Sequence, residues 1–200
     1  MKKISSLLVA GMLLTATVVN AQKWNKPLTA LKGQSSLNIK YTYDGLLVGK
    51  DGAEADYLSR KKADISKKDP AKADAFEKGW YNARAANYYP KFESLLNKGL
   101  EKVNIVAGQN QNSAKYTMIV HTTFIEPGFN VGVMKKPASA NFEIKIVESS
   151  NPSNVISQTF INNVPGSQMT GYDFDATTRI AECYAKAAKM AAKTMAKGLK

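Results

Sequence analysis

The sequence predicts an α/β protein of the α+β type, a two-layer sandwich. A mixed, largely antiparallel sheet carries a long C-terminal helix, and more helices are inserted between the first strand and a strand meander. Three observations carry this reading. Residues 115–125, KYTMIVHTTFI, alternate: Tyr116, Met118, Val120, Thr122 and Phe124 fall on one side of an extended chain, with Thr117, Ile119, His121 and Thr123 on the other. Two more alternating runs follow within the next 40 or so residues. The chain then closes on a helical period, with Ile180, Tyr184, Ala187, Ala188, Ala191, Met195 and Leu199 on one side and Lys186, Lys189, Lys193, Lys197 and Lys200 on the other.

Taken in order, residues 22–34 carry Trp24, Pro27 and Gly33 without a period and read as a loosely held arm. Leu37, Ile39, Tyr41 and Tyr43 alternate with Ser36, Asn38, Lys40 and Thr42, a half-buried strand. Asp44-Gly45 is a turn, and Leu46 to Val48 a short apolar clip. Ala53, Tyr57, Leu58, Lys61 and Ile65 take helical spacing over about residues 53–67. Asp69-Pro70 restarts the chain as N-cap and first helical residue, where proline's missing N–H costs nothing. That helix should reach about Ala86. Tyr89-Pro90 reads as a second restart, and Phe92, Leu95, Leu96 and Leu100 form the apolar stripe of a third helix.

Val103 to Ala107 can form a short strand. Apolar residues on both sides of the strand at 115–125 predict a central strand covered at least partly on both faces. Glu126-Pro127-Gly128 ends it. Phe129 to Met134 is either the return strand of a hairpin or an exposed loop. Ala140, Phe142, Ile144 and Ile146 alternate with Asn141, Glu143 and Lys145 in the next strand, so one face of it is wet. Residues 149–154, SSNPSN, are a turn cluster, and 155–164 the last strand. Asp173 or Asp175 can cap the final helix. Its apolar side is mostly alanine, which suits docking on the sheet better than lying on lipid, because alanine buries little area.

The chain has 200 residues and a formal charge of +12, enough length for one domain with a core. Residues 1–21 read as a secretory signal peptide: Lys2 and Lys3, an apolar run from Leu7 to Val19, and Val19-Asn20-Ala21 at the cut. The expected division is a signal peptide over 1–21, an arm over 22–34 and one α/β domain over 35–200. Cleavage near Ala21 would leave a periplasmic or secreted protein, without a transmembrane anchor and with no acylated cysteine. Export speaks against nucleic acid as the target of the basic surface. The one cysteine, Cys183, sits in the Ala-rich helix and reads as a small buried hydrophobe.

No catalytic set, metal site or cofactor motif is readable. His121 is the single histidine, which removes any two-histidine metal site. An exported hydrolase would have to use His121 with nearby acids, and a buried His121 would argue against it. Tyr88 and Tyr89, at the break before Pro90, and Phe129 in the Glu126 to Asn130 loop are the candidate contact residues. Together with Glu126 and His121 they form the weak ligand- or partner-binding set. A carbohydrate-binding module would need coplanar, exposed rings among Tyr88, Tyr89 and Phe129. Trp80 and Phe92 lie at helical spacing and read as packing residues.

The runs ANFEIKIVES and VISQTFI, followed by the Ala/Lys helix, resemble an uncharacterised exported protein family of Bacteroidota. EADYLSRKK, FEKGW and YPKF look like the helical part of the same group. More distantly, the layout is similar to the small α/β domain of envelope proteins such as the N-terminal domain of the Tol–Pal translocation protein. The resemblance maps no functional residue onto this chain. Export, the absence of a convergent catalytic set and the basic surface make a non-catalytic envelope module the first expectation, its partner an envelope protein or a glycan. Oligomeric state is not readable.

Overall fold

A computed structural model describes residues 23–131, 133–166 and 175–200. The signal-peptide reading and the Asp173 cap lie outside the described residues. Strands are β1 (Ser36–Thr42), β2 (Leu47–Val48), β3 (Val106–Gly108), β4 (Tyr116–Glu126), β5 (Phe129–Asn130), β6 (Lys135–Lys136), β7 (Ser139–Glu148) and β8 (Asn151–Pro165). Helices are α1 (Glu54–Ser66), α2 (Pro70–Ala83), α3 (Tyr89–Leu100) and α4 (Ala176–Leu199).

The main sheet runs β3-β1-β4-β7-β8, and β2 continues the β1 lane beside β4. β1 is parallel to β3 and β4, whereas β4, β7 and β8 are antiparallel neighbours. The three inserted helices make the parallel return from β1 to β3 and β4 sterically possible, since no tight turn can join parallel strands. The fold is the α+β sandwich that the periods predict.

All four helices share one face of the sheet with the core. Phe92, Leu96 and Leu100 of α3 are buried beside Ala188, Ala191, Ala192 and Met195 of α4. Tyr184 of α4 reaches the sheet, its ring edge-on to Phe142 of β7 at 4.9 Å and its hydroxyl 2.6 Å from Thr122 Oγ1 of β4. The alanines of α4 permit this approach, as their spacing suggested. Asp69 caps α2 by accepting from the Lys72 N–H, and Asp175 caps α4 by accepting from the N–H groups of Thr177 and Thr178.

Several expectations are corrected. The arm is not loosely held. Leu28 and Leu31 are buried, and the Asn25 N–H donates to Gln158 O at 2.9 Å. The Gln158 N–H donates back to Asn25 Oδ1 at 2.8 Å, and Ser157 Oγ donates to Lys26 O at 2.7 Å. The arm thereby satisfies part of the exposed backbone of β8, an edge strand. Tyr89-Pro90 does not restart the chain. A π-helical turn, Arg84–Tyr88, joins α2 to α3, and the Tyr89 N–H donates to Arg84 O. The widened turn accommodates the proline that would otherwise break the helix. The 149–154 turn cluster shrinks to Ser149-Ser150, because β8 begins at Asn151.

Among the described residues β4 is covered by helices on one face only. Met118, Val120 and Thr122 are fully buried on that face, while Ile119, His121 and Thr123 are half-buried on the opposite one. A bulge between Thr122 and Phe124 re-phases the strand, so that Thr122 and Ile125 both point into the core.

Candidate binding surface

The bulge sets the exit of β4. Beyond it the chain leaves the sheet, and β5 pairs with β6 as a separate two-stranded hairpin, Phe129 opposite Lys136 and Asn130 opposite Lys135. The segment 129–134 is therefore not a return strand beside β4: its first two residues pair with β6, and Val131, Val133 and Met134 beyond them are exposed.

The base is fixed from two sides. Gly128 turns the chain at φ +63°, and a Cβ there would lie 2.3 Å from Lys136 O and 2.7 Å from the Ala138 nitrogen. Only glycine fits both the conformation and the space. From below, Arg179 of α4 is 3% exposed. Its Nε and Nη2 donate to Pro127 O at 3.2 Å, and Nη2 also donates to Gly128 O at 3.3 Å. Charge-assisted bonds to two carbonyls hold the turn on the end of the helix. Glu126 locks the inner edge: its Oε1 accepts from the Gly128 N–H at 3.0 Å, and its Oε2 pairs with Lys136 Nζ at 2.6 Å.

The tip is closed by the Val131 N–H donating to Met134 O at 3.0 Å. It is apolar and open to solvent: Phe129 is 43% exposed, Val131 61%, Val133 93% and Met134 62%. Four apolar side chains on one eight-residue projection differ from the scattered apolar exposure of an ordinary surface. Lys135 and Lys136 stand immediately behind them, both exposed.

The remaining predicted contact residues lie elsewhere. His121 sits on the open sheet face, half-buried, its Nδ1 2.9 Å from Thr42 Oγ1. It lies opposite Glu143 in the β4–β7 register, and Glu143 pairs with Lys145 at 3.0 Å. The face around it is flat and mixed, with Leu47 and Phe160 exposed. Tyr88 is buried, its ring stacked on Tyr184 at 4.9 Å. Tyr89 stacks flat on Tyr41 at 3.9 Å. Only Glu126 and Phe129 of the predicted set meet in one place.

Between helices and sheet lies a second polar cluster. The Tyr184 hydroxyl donates to Tyr43 Oη at 3.0 Å, and the Arg84 guanidinium lies 3.7 Å from the centre of the Tyr43 ring while pairing with Glu54. Burial pushes the Tyr41, Tyr43, Tyr88 and Tyr184 phenols well above their ordinary range. Such phenols stay protonated and serve as hydrogen-bonding packing groups. Among the described residues no three His, Cys, Asp or Glu side chains converge on a metal-sized site. An open depression between α3 and α4, lined by Pro90, Lys91, Ser94, Leu95, Glu182 and Ala185, is bridged by the Lys91–Glu182 ion pair.

Sequence reasoning missed Val131, Val133, Met134 and Arg179. A signal for Arg179 was present: a cation four residues before Cys183, on the stripe that the helix buries.

No protein-family model matches the chain, and no curated protein matches it at a significant level. Among solved structures the chain is similar to a PelC dodecamer from Paraburkholderia phytofirmans, at 11% identity over 82% of this chain and 96% of that chain, with a TM-score of 0.39. A leucine-to-methionine variant of that PelC matches at 12% identity over 82% of this chain and 96% of that one, with a TM-score of 0.38. Likenesses this remote do not bear on function.

Proposed function

We propose that this chain is a non-catalytic, exported module that binds a component of the cell envelope, and that the 129–136 hairpin is its contact element. The observation that carries the reading is a rigid base under an apolar tip. Arg179, Gly128 and Glu126 hold the projection in place, yet Val131, Val133 and Met134 stay mostly exposed. An element fixed in this way loses little conformational entropy on binding. The signal-peptide-like start, the resemblance to exported proteins of Bacteroidota and the basic balance of +12 support the location.

The hydrolase reading finds less support. His121 is half-buried on the sheet face away from the helices, with its Nδ1 on Thr42 Oγ1 rather than on a carboxylate. The carbohydrate-module reading needed coplanar rings, and Tyr88, Tyr89 and Phe129 do not share a surface.

The test is retention of the tagged mature chain on washed cell envelopes from its source. A Val133→Asp/Met134→Asp variant should be retained at least severalfold less than the wild type. Val106→Asp, which places the same charge on another exposed valine, should be retained like the wild type. Equal retention of all three proteins would overturn the reading.

A further inference from the structure

We infer that the occupant of the hairpin tip is an anionic lipid bilayer surface, into which Val131, Val133 and Met134 dip while Lys135 and Lys136 meet the headgroups. The inference rests on the binding-module reading and goes beyond it by naming the partner. Size decides first. A stable protein–protein interface needs about 800 Å² from each side, and a two-residue ladder with a four-residue tip offers far less. A bilayer accepts a small apolar point from any direction and demands no matching surface. Shape agrees: among the described residues of the hairpin exposure is greatest toward the tip, at Val133, 93%.

Charge decides next. Lysines directly behind an apolar tip are the order that an interface with anionic headgroups selects, because each cation near such a surface adds attraction. The basic character extends beyond the hairpin. The Gly49 N–H donates to Ile125 O at 2.8 Å, and a Cβ on Gly49 would lie 3.8 Å from Glu126 Oε2, which places the adjoining Lys50 at the hairpin's end of the molecule. The acids there are engaged: Asp51 with Arg60 at 2.6 Å and Glu126 with Lys136 at 2.6 Å. Finally, no helix among the described residues is long and apolar enough to cross a membrane. Attachment through the hairpin would therefore be peripheral and reversible.

The test is co-sedimentation of the mature chain with vesicles of phosphatidylethanolamine and phosphatidylglycerol, and with neutral phosphatidylcholine vesicles. Binding is expected to the anionic vesicles, with release at about 0.5 M salt, where screening shortens to a few ångströms. Val131→Asp/Val133→Asp should lower binding about tenfold or more, and Lys135→Gln/Lys136→Gln should lower it severalfold and flatten its salt dependence. Val133→Cys carrying an environment-sensitive dye gives a second readout, since Cys183 is buried and escapes labelling. The dye should shift to the blue on anionic vesicles, and a dye at Val106→Cys should not.

Failure to bind vesicles, or equal binding by the hairpin variants, overturns the lipid inference. If washed envelopes still retain the chain through the hairpin while vesicles do not, the partner is a protein or glycan and only the lipid inference falls. If hairpin variants behave like the wild type in both assays, both readings fall. Concentration-dependent dimerisation that the Val131→Asp/Val133→Asp pair abolishes, without vesicle binding, would mark the tip as a contact between two copies and overturn the inference.

Discussion

Replacing Gly99 by alanine tests the helical layer on which the hairpin's anchor depends. Gly99 lies in the last turn of α3, against α4, and a Cβ at that position would fall 2.4 Å from the Cβ of Ala192. Ordinary contact between such atoms begins about 1 Å farther out. The helices must therefore part by roughly that distance, across an interface where Phe92, Leu96, Leu100, Ala188, Ala191 and Met195 are fully buried. Overpacking of this kind costs about 1–3 kcal/mol. Removing a glycine from a helix returns at most about 1 kcal/mol, and less near a helix end. The expected net loss is about 1–2 kcal/mol, or roughly 3–8 °C in Tm for a chain of this size. Ala192→Gly alone should cost about 2 kcal/mol, from helix propensity and one lost buried methyl. The pair Gly99→Ala/Ala192→Gly moves the methyl across the interface without adding volume, so it should fall within about 0.5 kcal/mol of the wild type. Urea unfolding, followed by circular dichroism, measures all three. An unchanged or raised midpoint for Gly99→Ala, or a double variant as unstable as its singles combined, would refute the close approach of α3 and α4.

Gly128→Ala places a methyl group against Lys136 O and the Ala138 nitrogen in a left-handed conformation; it should open the hairpin base and speed tryptic cleavage after Lys135 at least severalfold, and wild-type cleavage kinetics would contradict the geometry. Asp175→Ala removes the cap of α4 and should cost about 1 kcal/mol at neutral pH. Partial burial pushes the Asp175 carboxyl up, but bonds from the Thr177 hydroxyl and from the Thr177 and Thr178 N–H groups outweigh it and hold it below its usual range. Its contribution is therefore complete above the unfolded value of about 4 and lost as pH falls through the lower folded value. The wild-type advantage over Asp175→Ala in urea should be flat from neutral to mildly acidic pH and shrink in strong acid; an advantage that grows on acidification would reverse the sign. Burial pushes the Cys183 thiol up to about 12, so a thiol reagent at pH 8 should label the native chain only as fast as it unfolds, and rapid labelling would mean that α4 is not docked.

What the sequence displayed and what it hid divide along the range of the interactions. β4, β7 and α4 were legible because their partners impose a repeat on neighbouring residues, two along a strand and 3.6 along a helix. Asp69-Pro70 was legible, and the cap of α4 was narrowed to Asp173 or Asp175, because caps act within three residues. Pro90 misled for the opposite reason. The local rule says that proline breaks a helix, but the Arg84–Tyr88 turn widens around it, held by Tyr88 on Tyr184 and Tyr89 on Tyr41. Those contacts cross 96 and 48 positions and leave no period. The arm hid likewise, since its grip on β8 runs through isolated polar side chains, Asn25, Ser157 and Thr159, which meet across more than 130 positions and set no period. The binding surface combines both cases. Its ladder is two residues long, too short for alternation to show, and its anchor is a side chain 51 and 52 positions away on α4. Arg179 is costly to bury unless its donors find acceptors. A cation on an otherwise apolar stripe therefore implies that some backbone turn docks there, although sequence alone does not say which. Here that turn is Pro127-Gly128, the base of a projection whose apolar residues the fold leaves outside.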